Sequence, residues 1–489
     1  MRLFEGLIFG VILIALIVRT IPALRKLAVF TYLPFLAGKL IFVQLAVEGY
    51  RWQMVPIYTI TGLFILVSLL HLNRMPENGL LVKRKGLRFS SLVAAYLGFV
   101  LALVFPLALP VVNLPQPSGS YPVGTTNFRL VDESRQEIFT ENPTDVRNLA
   151  VRVWYPAERV DGLPLATYWD RKGETGRIYS LNADMGTFWY THLSRVKTNS
   201  RLGAPVSGQE RKFPVIIYSP SFYGMNTENT MLFEELASQG YIVFSIAHTI
   251  ETIASVYPDG EILPGNYEYI STLFDSNAEQ EKQLYLDYRT AETEKQKAEI
   301  AVQILTVDEE AVQLVKVRTA DVLFVLDELE RMNGVDELFG SRLNLDQVGV
   351  MGWSFGGGTA IEALIADSRF KAGINIDGWP YGERFNTGKM IHQPFMLVRS
   401  VSEDDVEDVV TSLLEKQLAG PAYVYQIKNA AHTNFWDFTL FFEIYQYLGY
   451  WDSIDAQQLL TVEGTYIVGF FNQYLKGSGA PLPGELQAP

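Results

Sequence analysis

The chain has 489 residues, 48% of them hydrophobic, a formal charge of −14 and no cysteine. Such a length allows roughly two or three domains of about 150 residues. The missing thiols exclude disulfides, Cys-ligated zinc, iron–sulfur clusters and a cysteine nucleophile, and the acidic balance argues against nucleic-acid binding, which needs a basic footprint.

The charge is unevenly distributed. Residues 1–112 hold 11 Lys/Arg against three acids, Glu5, Glu48 and Glu77, a net +8, and the remainder carries −22. Four apolar runs lie in this first part, at 6–18, 27–47, 52–70 and 89–114. A helix needs about 20 apolar residues to cross the hydrocarbon, so the last three qualify and the first is short. The first run would suit the core of a signal peptide, but three more runs argue against a cleaved one. Arg74, Lys83, Arg84, Lys85 and Arg88 place the loop between the third and fourth runs in the cytoplasm. Everything after Asn113 is then expected outside, whether or not the first run spans. The expectation is a multi-pass cell-membrane protein of about four spans with an extracytoplasmic C-terminal domain. Lys39 interrupts the second run at a cost of about 2.5–3.5 kcal/mol; it would face either the bundle interior or a lipid headgroup defect.

A Pro/Gly/Ser-rich linker, 113–122, leads into residues 123–489. Strands are predicted at 123–131, 149–154, 213–218 and 241–247, with a helix at 228–239. Strands apolar on both faces and alternating with helices indicate an α/β fold with a mainly parallel covered sheet. The alternation continues through helix 315–331, strand 347–352, helix 356–367 and strand 371–376. Strand 394–398, helix 405–418, strand 422–428 and a closing helix around 467–476 complete it, with 436–450 read as a further helical stretch. An insertion at about 275–310 has helical composition and reads as a solvated excursion, with a lid over the active site as its functional alternative.

Chemistry concentrates at Gly352-Trp353-Ser354-Phe355-Gly356. This G-x-S-x-G follows a predicted strand and opens a predicted helix, the context in which a strained turn lifts the Ser354 hydroxyl above the sheet edge. A serine hydroxyl needs a base, and in the order Ser…acid…His only His392 and His432 follow. His392 precedes a strand, on the edge opposite the elbow. His432 follows one and falls on the carboxyl edge, where doubly wound sheets carry their sites, so His432 is the expected base. His248 also ends a strand and is a candidate pocket residue, whereas His192 has no evident context and His71 abuts a membrane run. Two places suit the acid. Asp377 stands alone among apolar neighbours, as a desolvated carboxylate would, while Glu403, Asp404 and Asp405 follow the next strand, where pattern leans to Asp404 and a helix cap competes.

Residues from about 121 to 477 resemble the platelet-activating-factor acetylhydrolase, or lipoprotein-associated phospholipase A2, family. The stretches that carry the resemblance include YPVGTTNFRLVD, VRVWYP, FPVIIYSPSFYG, VGVMGWSFGGGTAI, DSRFKAGINIDGWPYG and HTNFWDFTL. The resemblance implies an α/β-hydrolase fold with Ser354, Asp377 and His432 as catalytic triad. It implies oxyanion-hole N–H groups at Phe222 and Phe355, and no metal or cofactor. Two departures stand out: Pro220-Ser221 replaces the family's usual His-Gly before the donor, and Trp353 occupies an elbow position where His is common. Tyr223, Trp353, Trp379, Phe435 and Trp436 are candidate pocket residues.

The reading is a membrane-anchored serine ester hydrolase whose substrates, by that resemblance, are phospholipids with short or oxidised sn-2 acyl chains. One alternative is a hydrolase of soluble short-chain esters, polyesters or lipid-like xenobiotics. Another is a catalytically inactive membrane receptor or scaffold.

Overall fold

Alternation in the strand Phe213–Ser219 shows how the central sheet is built. Val215 and Ile217 face one core, Ile216 and Tyr218 the other, and all four are fully buried. A period of two lets one strand line two cores at once. The structure is a computed structural model that describes residues 1–489 apart from 25–30, 73–84, 171, 269, 271–276, 402–404, 480–481, 483–484 and 487–489. The chain divides into two units, residues 1–112 with 441–444 and residues 113–440 with 445–489.

The first unit contains α1 (Leu3–Thr20), α2 (Leu33–Val47), α3 (Val55–Leu72) and α4 (Lys85–Ala108). Ile8, Ile12, Ala37, Ile57, Phe64 and Phe99 belong to its shared core. Among the described residues, Leu3–Thr20, Trp52–Leu70 and Phe89–Ala108 are long and apolar enough to cross a membrane. The first run thus belongs to a helix long enough to span, against expectation, while residues 27–30 of the second run lie outside the described residues. The first helix outgrows run 6–18 because Glu5 is no lone charge: Arg2 lies 2.6 Å away and the buried Arg51 2.7 Å away. The second helix has 15 residues, roughly 22 Å at 1.5 Å each, against roughly 30 Å of hydrocarbon. Lys39 is exposed on that helix and does not face the bundle interior. Arg74, Lys83 and Arg84 lie outside the described residues.

The second unit is mixed α/β. Its strands are β1 (Val123–Gln136), β2 (Val146–Pro156), β3 (Leu165–Thr167), β4 (Lys197–Leu202), β5 (Phe213–Ser219) and β6 (Ile242–Ala247). A small hairpin, β7 (Ala254–Val256) and β8 (Ile262–Pro264), stands apart. The series ends with β9 (Leu343–Trp353), β10 (Phe370–Ile376), β11 (Phe395–Arg399), β12 (Ala422–Gln426) and β13 (Glu485–Leu486). The main sheet runs β13-β12-β11-β10-β9-β5-β6-β2-β1-β4-β3. From β12 to β6 all neighbours are parallel, so the loops after β5, β9, β10 and β12 emerge at one edge.

Helices cover both faces. Residues of Glu309–Met332, Phe355–Ala366 and Asp405–Glu415 share one core with the sheet, and Thr230–Ser238 and Ala456–Tyr474 share the other. The insertion is helical, at Ala278–Thr290 and Glu294–Val307, but it is not a solvated excursion. Leu284, Tyr288, Ala301, Ile304 and Leu305 are buried in the first of these cores, which leaves its apolar side committed to packing rather than to covering a site. The stretch 436–450 breaks into short pieces, Phe438–Phe441 and Glu443–Leu448, and the closing helix begins at Ala456. The segment 113–122 is no loose tether. The Ser118 N–H donates to Glu235 Oε2 at 2.7 Å, and the Gly119 N–H donates to Ser238 Oγ at 2.9 Å.

Candidate active site

The turn between β9 and the helix Phe355–Ala366 puts Ser354 at φ 55°, ψ −123°. A non-glycine residue at positive φ is strained, and the surroundings hold it there: the Ser354 N–H donates to the Ile376 carbonyl at 2.8 Å. The flanking glycines are steric necessities. A Cβ on Gly352 would lie 2.1 Å from the Gly356 carbonyl oxygen, and one on Gly356 would lie 1.9 Å from that of Ser219. The chain can therefore cross this close to β5 only without side chains.

The three residues expected to act together meet above this turn. His432 Nε2 lies 2.9 Å from Ser354 Oγ, and His432 Nδ1 lies 2.8 Å from Asp377 Oδ2. Asp377 follows β10, the strand beside β9, and takes φ 51°. Its Oδ1 accepts the Ser400 N–H at 2.6 Å and its Oδ2 accepts the Ser400 hydroxyl at 2.8 Å, which fixes the carboxylate toward the imidazole. Of the competing acids, Glu403 and Asp404 lie outside the described residues and Asp405 begins a helix. The Asp377 side chain is 8% exposed and that of His432 48%, so the set is buried at its base and open at its mouth. Buried Glu463 lies in the field of this carboxylate: burial first, and then the Asp377 charge, push it up to about 8.

Phe355 is the first residue of its helix, where backbone N–H groups point out of the helix end. Phe222 lies in the loop after β5, and the two rings meet edge to face with centroids 6.0 Å apart. Both belong to an apolar cluster with Phe139 and Ile250, two residues that line a cavity of about 970 Å³ together with Asn182, Asn266 and Tyr267. Sequence reasoning missed this cavity, because its walls come from four separated stretches with no motif.

The candidate pocket residues divide. Tyr223 is buried but reaches that cavity's wall, with its hydroxyl donating to Asn182 at 3.2 Å and its ring on Tyr267. Trp353 and Phe435 are core residues, 4% and 1% exposed, and Phe435 borders only the crevice of about 10 Å³ that it shares with Trp436. Trp353 instead lies against the His432 ring at 5.4 Å between centroids and against Trp436 at 5.8 Å. Trp379 borders only a crevice of about 30 Å³ and Trp436 one of about 10 Å³.

The other histidines fall elsewhere. His392 is exposed at the entry to β11 and His192 is buried with Nδ1 3.2 Å from the Trp189 carbonyl. His248 is no pocket residue. It is fully buried, with Nε2 2.9 Å from Ser219 Oγ and Nδ1 2.8 Å from Asp321 Oδ2. Asp321 also receives Arg147 at 2.6 Å and Arg135 at 2.8 Å, and Arg147 reaches on to Glu251 at 2.8 Å and Glu137 at 2.9 Å. Burial alone would raise the Asp321 carboxyl, but Arg147 and His248 hold it far below the usual carboxylate range. Burial pushes the His248 imidazole down to about 4 against the pull of Asp321, so it is neutral at physiological pH.

Comparison with known proteins agrees with this architecture. Residues 108–478 match the family described as platelet-activating factor acetylhydrolase, isoform II. Over 379 residues the chain is 25% identical to a platelet-activating factor acetylhydrolase of Cavia porcellus, covering 74% of this chain and 78% of the relative. A probable 1-alkyl-2-acetylglycerophosphocholine esterase of Arthroderma benhamiae is 24% identical over 287 residues, 56% of this chain and 61% of the relative. Among solved structures, a ferulic acid esterase from Streptomyces cinnamoneus aligns with a TM-score of 0.58 at 24% identity. It covers 76% of this chain and 95% of its own, and it shares the fold.

Proposed function

The chain belongs to the platelet-activating factor acetylhydrolase family, and from that premise we propose that it is a membrane-anchored serine ester hydrolase acting through Ser354, His432 and Asp377. The observation that carries this reading is the pair of contacts at 2.9 Å and 2.8 Å that link hydroxyl, imidazole and carboxylate beside a helix N-terminus. His432 Nε2 takes the hydroxyl proton as Ser354 Oγ bonds to the ester carbonyl carbon, while Asp377 orients the ring and stabilises the imidazolium. The carbonyl oxygen becomes an oxyanion facing the Phe222 and Phe355 N–H groups. The intermediate collapses, the bond to the alcohol breaks, and His432 returns the proton to the leaving oxygen. Water then repeats the cycle on the acyl-enzyme.

Phospholipids with short or oxidised sn-2 acyl chains are the substrates this reading assigns. Family membership supports that, and the cavity of about 970 Å³ is lined by Phe139 and Ile250, which share an apolar cluster with Phe222 and Phe355. Residues 1–112 form the membrane region, 113–122 the linker and 123–489 the catalytic domain. Three apolar helices support the anchor. The basic residues between the third and fourth runs support an extracytoplasmic hydrolase, since only the last crossing decides its side.

A tagged fluorophosphonate tests the nucleophile: wild-type protein labels and Ser354→Ala does not, whereas equal labelling of both overturns the mechanism. An sn-2 chain-length series on phospholipids, set against soluble p-nitrophenyl esters, tests the substrate class. A flat profile or a purely soluble preference sinks the phospholipid assignment. Protease added to intact cells is expected to remove the region after Asn113; its protection reverses the topology.

A further inference from the structure

The loop that carries Phe222 is gripped from below by buried charges. Arg318 has no solvent exposure. Its Nη1 donates to the Pro220 carbonyl at 2.9 Å and to the Ser221 carbonyl at 3.1 Å, and its Nε donates to Glu251 Oε2 at 3.0 Å. The same guanidinium lies 4.9 Å from the centre of the Phe355 ring. One side chain thus touches both segments that the proposed mechanism asks to bind the oxyanion.

Ser221 is held from its other side by Glu228, 4% exposed. Glu228 Oε1 accepts the Ser221 N–H at 2.8 Å and the Tyr218 hydroxyl at 2.8 Å, while Oε2 accepts the Ser221 hydroxyl at 2.8 Å. One residue is therefore held from both sides, a cation on its carbonyl and a carboxyl group on its amide and hydroxyl.

The Ser221 carbonyl and the Phe222 N–H belong to the same peptide plane and, in a trans peptide, point in opposite directions. The guanidinium and the Gly224 N–H, 3.0 Å from that carbonyl, together fix the plane's rotation and so the direction of the N–H. The guanidinium also draws electron density toward the oxygen and strengthens the N–H as a donor, because hydrogen bonds in series polarise one another and charged donors are the stronger ones. Neither effect requires contact with substrate.

We propose that Arg318 and Glu228 are positioning residues that clamp Ser221 and thereby orient and polarise the Ser221–Phe222 peptide as an oxyanion donor. The inference rests on the reading of Ser354 as nucleophile, which fluorophosphonate labelling tests separately. It also accounts for the departure at this loop: with Ser at 221 the hydroxyl becomes a third hydrogen bond of the clamp.

The test uses full-length protein in detergent micelles, with active sites counted by fluorophosphonate titration and folding followed by circular dichroism. Arg318→Lys and Glu228→Gln are compared with wild type on p-nitrophenyl butyrate, and each is titrated with a trifluoromethyl ketone carrying the same acyl chain. Per labelled site, kcat is expected to fall by about tenfold to a hundredfold, less than the 10²–10³ of losing an oxyanion donor outright. KM should stay within about twofold, and ketone affinity should weaken in proportion to kcat/KM. A residue with a merely structural role lowers the number of labelled sites and leaves kcat per site unchanged; that result, or a loss confined to KM, overturns the clamp. If Arg318→Lys yields no folded protein, Glu228→Gln decides by the same criteria. Failure of wild-type protein to label at Ser354 overturns the nucleophile instead, and with it the premise.

Discussion

Two Ser–His–Asp sets stand at neighbouring strand ends of this fold with nearly identical contacts. In Ser354–His432–Asp377 the separations are 2.9 Å and 2.8 Å, and in Ser219–His248–Asp321 they are 2.9 Å and 2.8 Å again. They differ in everything around those contacts. Ser354 sits in a strained turn at a helix N-terminus with a half-exposed histidine above it. Ser219 is the last residue of an ordinary strand, and all three members of its set are fully buried. Arg147 makes Asp321 an ion-pair partner first, and the dry surroundings keep His248 uncharged. Distances among three side chains therefore do not define a hydrolytic site. Backbone geometry, access and a place for the oxyanion do.

The largest expected effect separates the two serines. Ser354→Ala should lower kcat by about 10⁴ or more and abolish fluorophosphonate labelling, while Ser219→Ala should label at the wild-type rate; labelling lost in Ser219→Ala would erase the distinction. Next, Asp321→Asn removes the buried carboxylate that Arg147, Arg135 and His248 share. Breaking a buried pair in this way costs about 3–5 kcal/mol, so the midpoint of denaturant unfolding should drop sharply while the folded fraction still labels Ser354. The third effect depends on pH. Burial pushes Glu228 up to about 7, above its ordinary 4.5, so the folded state binds this proton more tightly than the unfolded one. Its contribution is full below about pH 4.5 and is lost as pH rises through about 7, a change of roughly 3 kcal/mol. Unfolding free energy measured across that window should be flatter for Glu228→Gln than for wild type; parallel curves would refute the assignment. The smallest effect concerns the ring beside the exposed histidine. Trp353→Leu, a large-to-small change in the core, should cost about 2 kcal/mol in stability and shift kcat by a few fold, read from the same unfolding and ester assays.

The parts of this arrangement that were legible in the sequence are local ones. The elbow was readable because the strand, the Gly-x-Ser-x-Gly turn and the helix are contiguous. His432 followed from chain order and from which end of a strand it occupies. The acid was not fixed by residues alone, since Asp377 and the 403–405 run both suited the order, and the resemblance had to choose. Chain-distant contacts were out of reach. Glu5 looked like a charge that ended an apolar run, because Arg51, 46 residues on, neutralises it only in the fold. The helices of the insertion looked solvated by composition, yet a few apolar residues at helical spacing, Leu284 with Tyr288 and Ala301 with Ile304 and Leu305, seat them in the core. His248 looked like a pocket residue for the same reason that His432 looked catalytic: both end strands at the carboxyl edge.

The Arg147 network also bears on how the chain assembles. Its guanidinium binds carboxylates 10, 104 and 174 residues away, at Glu137, Glu251 and Asp321. With none of these in place, the cation would be stranded in a dry interior at several kcal/mol, and its full set of hydrogen bonds needs all three. Completion of the set thus waits for segments spread over residues 137–321, about half of the hydrolase sequence. Long loop closures of this kind slow folding and make it sharply cooperative. During synthesis, the strand that carries Arg147 has no complete counter-ion set until the helix bearing Asp321 has emerged.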